Sequence, residues 1–145
     1  MEGLRFVRLD ARATIPQRAH DGDAGLDLSA LESGSLDPGE RVHVRTGLAV
    51  AIPGGCAGLV LPRSGLAGRH GVTVANAPGL IDSGYRGEIQ VILVNLDPRE
   101  PFSFAAGDRV AQLLVVRYAD LDSVEVDSLE ETERGNRGFG SSGSG

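Results

Sequence analysis

The 145-residue chain is 41% hydrophobic, which suits one domain with a buried core, and its 21 Gly and 7 Pro favour tight turns over long helices. Seven of its 20 acidic residues lie between positions 119 and 133, which leaves 13 against 14 basic residues elsewhere and gives no support for a nucleic-acid-binding surface. We expect a cytoplasmic protein that contacts no membrane, because no apolar run approaches the roughly 20 residues of a membrane span, no signal-peptide pattern opens the chain, and the single Cys56 suits a reducing compartment.

Short β-like segments separated by turn signals come first in chain order. Val42 and Val44 alternate with polar residues and should share a buried face, and the apolar run 110–116 should be buried on both faces. One short helix is predicted over residues 64–69, with Ser64 as its cap. The pattern predicts an all-β, mainly antiparallel fold with strands at 6–9, 41–45, 48–52, 58–61, 88–95 and 110–116, and turns at 37–40, 53–55, 96–98 and 106–108.

Two clusters of polar residues in the first half of the chain could bind charged ligands. Three acids occur within residues 21–27 and could hold a hard cation through oxygen or water, or could simply form an acidic turn. Residues 62–66 contain Arg63 and Ser64 where a strand meets a helical turn. Free N–H groups, a hydroxyl and a guanidinium there would form an anion site, and the alternative is an ordinary helix cap beside a surface arginine.

The segment 76–87 carries the chemistry that is easiest to interpret. Pro-Gly at 78–79 and Ser-Gly at 83–84 bracket a short strand, which predicts a hairpin with Asp82 and Tyr85 at its tip. A carboxylate held there could act as a general base towards water, and a tyrosine ring could cover a sugar. The alternative for Asp82 is that it merely starts a turn.

Two further features come near the end of the chain. Gln112 is a polar group on an apolar strand, either a ligand donor or a buried amide bonded to a neighbouring segment. Residues 134–145 contain one large apolar residue and cannot fold alone, so they should form a mobile arm ordered by a ligand or partner. Its glycines could form a backbone nest for phosphate, with charge from Arg134, although 141–145 alone would also suit a linker.

Taken in order, these clusters resemble the five motifs of the trimeric deoxyuridine 5'-triphosphate nucleotidohydrolases, the dUTPase family. The resemblance runs from about residue 7 to 143. After the acidic segment 21–28, it rests on PRSGLA at 62–67, GLIDSGYRGE at 79–88, GDRVAQ at 107–112, RG at 134–135 and GFGS at 138–141.

The resemblance implies a jelly-roll-like antiparallel β subunit, residues 1–133, in a homotrimer with sites at the subunit interfaces. A flexible C-terminal arm, residues 134–145, would close over each site. The implied reaction is hydrolysis of dUTP to dUMP and pyrophosphate by water attack on the α-phosphorus, with Mg²⁺ held largely by the triphosphate.

The resemblance also implies a role for each motif residue. Asp82 would orient and deprotonate the water, Tyr85 would stack under the deoxyribose, and Asp27 would reach the metal through water. The other substrate-binding positions are Arg63, Ser64, Gly65 and Gln112 for phosphates; Asn76, Gly79, Leu80 and Ile81 for uracil; and Arg134, Phe139, Gly140 and Ser141 in the arm.

The chain departs from the family pattern in the arm. Arg137 stands where the family usually has glycine, and it would strain the arm if that position needs a positive φ; otherwise it faces solvent or attracts the triphosphate. Ser142 replaces a frequent threonine and keeps the hydroxyl. Rival interpretations are a dCTP deaminase-related enzyme, a non-catalytic nucleotide-binding module and a structural trimer. Asp82 and the Gly-rich arm favour the hydrolase.

Overall fold

The computed structural model describes residues 3–138, which contain eleven strands and one helix. No helix in this part of the chain is long and apolar enough to cross a membrane. In chain order the elements are β1 (Arg5–Arg8), β2 (Leu26–Ser29), β3 (Gly34–Leu36), β4 (Arg41–Arg45), β5 (Leu48–Ala51), β6 (Cys56–Leu61), α1 (Ser64–His70), β7 (Val72–Val74), β8 (Gly79–Ile81), β9 (Gln90–Asn95), β10 (Phe102–Phe104) and β11 (Arg109–Arg117).

Every strand pairing is antiparallel, and the pairings make four small sheets. The larger two have the strand orders β2-β11-β6-β8 and β4-β9-β7, and the two-stranded sheets join β1 to β5 and β10 to β3. Neighbours in a sheet are mostly distant in sequence, as in a jelly-roll-like fold. The predicted all-β antiparallel fold is therefore confirmed.

One hydrophobic core draws on both larger sheets. In β9 every second side chain is buried, which is the period of a strand with one face against the core. Val44 of β4 is buried and Val42 is partly buried on the same face, as predicted. In β11 Val110, Ala111 and Leu113 are buried and Gln112 is half-buried, whereas residues 114–116 are only half-buried. The both-face prediction therefore holds for the first half of that strand.

A buried asparagine fixes the loop between β9 and β10. Asn95 is fully buried, and its amide nitrogen donates to the carbonyls of Leu36 (3.2 Å) and Glu100 (2.9 Å). Its oxygen accepts the N–H of Asp97 at 2.9 Å, so the buried amide has partners on both atoms. Hydrogen bonds from the N–H groups of Glu100 and Arg99 hold the pKa of the Asp97 carboxyl below its usual value.

Three of the local predictions are wrong. The segment after β8 is no hairpin, because β8 pairs with β6 while β9 pairs with β4 and β7, so residues 82–89 cross from one sheet to the other. Ser64 does not cap α1: the cap is Arg63, which makes no side-chain capping bond, and Ser64 is the first helical residue. The sequence analysis also missed β2, β3, β7 and β10, which are too short to show an alternating pattern.

Candidate active site

The crossing segment 82–89 begins with a tight turn that holds an acid and a tyrosine together. The Tyr85 N–H donates to the Asp82 carbonyl at 3.1 Å, and the Tyr85 hydroxyl donates to the Glu88 carbonyl at 2.9 Å. The ring lies against Gly87, where a Cβ would come within 2.5 Å of the hydroxyl oxygen and 2.6 Å of Cζ. Only glycine at position 87 allows the Tyr85 ring to pack where it does.

Asp82 and Tyr85 line one cleft of about 370 Å³. Because β8 is the edge strand of its sheet among the described residues, N–H and C=O groups on its outer edge can bond a planar ligand. Gly79 lets the Asn76 amide approach, since a Cβ there would lie 3.2 Å from its nitrogen. The sequence-predicted residues Asn76, Gly79, Leu80, Ile81, Asp82 and Tyr85 thus come together, with Val60, Glu88, Ile89 and Gln90 completing the lining.

A larger groove of about 660 Å³ lies on the other side of the same turn and includes Ser83 and Gly84. Three arginines, Arg5, Arg18 and Arg86, line it, and it contains no carboxylate. Since activation of a water requires a proton acceptor, the smaller cleft with Asp82 is the better candidate for chemistry.

A second cluster lies around Asp27 on β2, at the edge of the four-stranded sheet opposite β8. The Asp27 carboxylate accepts a hydrogen bond from Arg109 at 3.3 Å and lies 3.8 Å from the Arg63 guanidinium. Arg63 also donates to the Arg109 carbonyl at 3.1 Å. The carboxylate therefore fixes two guanidinium groups beside exposed Ser64 at the start of α1, an arrangement suited to an anionic ligand.

Sequence reasoning missed Arg109 as a member of this cluster. The signal was present, since Arg109 belongs to the GDRVAQ segment, but nothing in that segment shows that it faces Asp27 across 82 positions of chain. The register of β2 against β11 makes the contact.

Gln112 stands opposite Asp27 in the sheet, and both readings of it have support. Its amide nitrogen donates to the Pro62 carbonyl at 3.0 Å, the bond of a structural amide. That bond also orients the side chain next to the arginines, and it leaves the second N–H of the amide for a ligand. Gly25 leaves room for this side chain, since a Cβ there would overlap the Gln112 side-chain oxygen and displace it.

One chain does not bring the two clusters together. β11 and β6 lie between β2 and β8, so Asp27 and the cleft are separated by three strand spacings, roughly 14 Å. Gln112 pairs with Leu61, whereas Ile81 pairs with Gly58, so Asp82 is displaced further along the sheet. A ligand confined to the cleft therefore lies well away from Asp27 and the Arg109 that it binds in the same chain.

The C-terminal residues are described only in part. Arg134 and Arg137 close a small turn, each Nε donating to the other's carbonyl at 3.1 and 2.9 Å. No residue other than glycine has a positive φ in the described part of the chain, so the predicted strain at Arg137 is absent. Phe139, Gly140 and Ser141, like Ser142, lie outside the described residues.

The described residues hold no group of three or more His, Cys, Asp or Glu side chains placed to bind a metal ion. Asp27 offers one carboxylate, with 17% of its side chain exposed. Mg²⁺ in enzymes is commonly bound through one or two carboxylates together with the phosphates of the substrate. Asp27 therefore suits a metal that arrives with an anionic substrate.

Comparison with known proteins supports the motif resemblance along nearly the whole chain. The dUTPase family model matches residues 11–143. A deoxyuridine 5'-triphosphate nucleotidohydrolase of Mycobacterium leprae is 57% identical, covering 97% of this chain and 94% of the relative. One from Corynebacterium efficiens is 50% identical, covering 100% of this chain and 80% of the relative.

Two solved structures share the fold. A mutant dUTPase of Staphylococcus bacteriophage 80alpha with dUpNHpp matches with a TM-score of 0.90 at 29% identity, over 99% of each chain. A mutant dUTPase from phage phi11 of S. aureus, described as coordinating a structural Mg(II) ion, matches with a TM-score of 0.81 at 26% identity, over 88% of this chain and 98% of that one.

Replacing Gly87 with alanine should displace the Tyr85 ring, because the new Cβ would collide with it. The ring is 46% exposed and can swing outward, so we expect loss of its hydrogen bond to Glu88 and a fall of about 1 kcal/mol in the free energy of unfolding. Urea unfolding and the near-UV circular dichroism of the tyrosines measure both effects. Gly84→Ala is the matched control, since no atom lies within 4 Å of its Cβ position. Equal changes in the two variants would contradict the packing argument.

Proposed function

Because the chain belongs to the dUTPase family and is a dUTP diphosphatase, we propose that Asp82 is the general base of dUTP hydrolysis. The observation that carries this proposal is the cleft in which Asp82, Tyr85 and the edge of β8 lie together. The carboxylate would accept a proton from a water molecule while the oxygen of that water attacks the α-phosphorus. The bond from that phosphorus to the bridging oxygen then breaks, and dUMP and pyrophosphate leave.

Uracil would be read by the outer edge of β8 together with Asn76. A strand edge offers an N–H to a uracil carbonyl and a C=O to its N3–H, whereas cytosine presents the opposite pattern and would leave buried groups unpaired. Such a site can discriminate by roughly 10⁴ or more. The backbone from Gly79 to Ile81 would also exclude the methyl group of thymine, because the backbone of a paired strand moves less readily than a side chain.

Tyr85 would stack under the deoxyribose and leave no room for a 2'-hydroxyl. Two contacts support this role, since Gly87 lies beneath the ring and the Glu88 carbonyl holds the hydroxyl. A ring restrained at both places can exclude one additional oxygen atom. The selectivity against ribonucleotides would thus come from the position of the Tyr85 ring and not from any reaction of its hydroxyl group.

The triphosphate would be bound by Arg63, Ser64, Gly65 and Gln112, with Arg109 beside them. Phosphoryl transfer depends chiefly on positioning and on neutralisation of charge, and two arginines held by one carboxylate are suited to both. Mg²⁺, when bound, would supply further neutralisation of the phosphates, with Asp27 holding it through water.

We further propose a homotrimer, because one chain leaves its two clusters apart and a ligand spanning both needs residues from another copy. A second observation agrees with an assembly: large apolar side chains beyond β11 are exposed on a stretch with no strand. They are Leu121, Val124, Val126 and Leu129. In this arrangement residues 1–133 form the β domain and residues 134–145 close over a site, with Arg134, Phe139, Gly140 and Ser141 on the ligand. We place the enzyme in the cytoplasm.

Pyrophosphate release from dUTP, dCTP, dTTP and UTP, measured side by side with Mg²⁺, tests the assigned selectivity. We expect release from dUTP alone, because the β8 edge rejects cytosine and thymine and Tyr85 rejects the ribose. Comparable release from UTP would contradict the role of Tyr85. Release of both ammonia and pyrophosphate from dCTP would instead favour a bifunctional deaminase-related enzyme.

Asp82→Asn should bind dUTP with Mg²⁺ but turn it over about 10²- to 10⁴-fold more slowly, because an amide cannot accept the proton of the water. Calorimetric binding of dUpNHpp and steady-state kinetics separate the two effects. Asp37→Asn, in the exposed turn before β4, removes an equal charge away from the cleft and serves as the matched control. Near-normal turnover by Asp82→Asn would contradict the general-base role.

Truncation after Glu133 should leave a folded trimer with turnover reduced about a hundredfold or more, because the arm would exclude water and position the ligand. Light scattering gives the oligomeric mass and circular dichroism gives the fold. Dissociation of the trimer on truncation would show that residues 134–145 are structural instead.

A further inference from the structure

The crossing segment that carries Asp82 and Tyr85 ends in a firm attachment to the turn between β4 and β5. The Ile89 N–H donates to the Leu48 carbonyl at 2.8 Å, and the Thr46 hydroxyl donates to the Ile89 carbonyl at 2.6 Å. Thr46 and Ile89 are both almost fully buried. The attachment therefore belongs to the core rather than to the surface loop.

The carboxylate of Glu88 makes a second attachment to the same turn. It accepts the Gly47 N–H at 2.8 Å and the Arg45 Nε at 3.2 Å, and only 16% of its side chain is exposed. Gly47 has a φ of +71°, and its carbonyl accepts the Leu9 N–H at 2.7 Å, so this turn is held from the other side as well. Hydrogen bonds to a charged acceptor are the stronger kind, and here they join two loops.

The peptide group between Glu88 and Ile89 connects this attachment to the cleft. Its N–H donates to β5 at Leu48, and its C=O accepts the Tyr85 hydroxyl at 2.9 Å. Hydrogen bonds in series polarise and align one another. The core thus positions the tyrosine ring through this one peptide group. The bonds of the Glu88 carboxylate restrict rotation of that peptide group.

We propose that Glu88 is a positioning residue for the cleft, acting through Tyr85 on sugar selectivity. This inference rests on the proposed function, in which Tyr85 excludes the 2'-hydroxyl. Steric exclusion of a single oxygen tolerates little movement of the ring, so loss of the carboxylate admits UTP more readily. The Glu88 carboxylate is bonded to Gly47 and Arg45, so its assigned role is to position the ring and not to take part in the reaction.

The test is the ratio of kcat/KM for dUTP to kcat/KM for UTP in Glu88→Ala and in the wild type. We expect the ratio to fall about tenfold or more, which is the range of selectivity that one pocket contact supplies. A ratio does not depend on the fraction of enzyme that is folded, so a purely structural role of Glu88 leaves it unchanged.

Glu32→Ala is the matched control, because Glu32 is the other carboxylate that pairs with Arg45, at 3.6 Å, whereas the carboxylate that also bonds Gly47 is that of Glu88. Its ratio should equal that of the wild type. If Glu88→Ala does not fold, Glu88→Gln and Arg45→Gln test the same link with side chains of similar length. Glu88→Gln removes the charge from the acceptor of both bonds, and Arg45→Gln removes the bond from the guanidinium while leaving that from Gly47. Both should lower the ratio in the same direction.

Tyr85→Phe shows whether Glu88 acts through the tyrosine. In that background the hydroxyl bond is already absent, so adding Glu88→Ala should lower the ratio by much less than it does alone. An unchanged ratio in Glu88→Ala, or full additivity with Tyr85→Phe, overturns the inference and leaves the proposed function standing. A wild type that hydrolyses UTP as well as dUTP overturns the role of Tyr85 first, and the inference with it.

Discussion

The pairing of β6 with β11 on one side and with β8 on the other is the constraint on which both functional clusters depend. Leu61 stands opposite Gln112, and Val60 stands opposite Gly79, so this one strand sets where the arginine cluster and the cleft lie relative to each other. A slip of one residue would turn every side chain of a strand to the opposite face. Gly58 within β6 allows close packing over this strand, since a Cβ there would lie 2.9 Å from the Ile52 side chain.

That register also divides the site. The groups suited to a base and a sugar lie at the free edge of β8, and those suited to phosphates lie beyond two strands, around Asp27. The intervening strands β11 and β6 keep the two halves apart within one sheet. For chemistry that depends on positioning, assembly of chains is a way to combine two rigid halves without a flexible hinge.

Asp82 and Tyr85, to which we assign the chemistry and the sugar selectivity, nevertheless lie on a segment with no secondary structure of its own. Residues 82–89 cross between sheets, and their conformation comes from the turn at Asp82, the glycine under the Tyr85 ring and the attachment of Glu88 and Ile89 to the core. A loop held at both ends by buried groups can be as precise as a strand. The selective role proposed for Tyr85, which is half-exposed, requires such restraint.

The sequence by itself determined the fold class, the strand β4 to the residue, the family and the set of cleft residues around Asp82, because alternation and contiguous motifs are local signals. It did not show that 82–89 crosses between sheets, that Arg109 donates to Asp27, or that the Glu88 carboxylate accepts the Gly47 N–H. Those facts depend on which strands become neighbours and on contacts between residues some 40 to 80 positions apart. Only the tertiary structure decides them, because buried hydrogen-bonding groups pair with the partners that packing brings near, whatever the distance between them in the sequence.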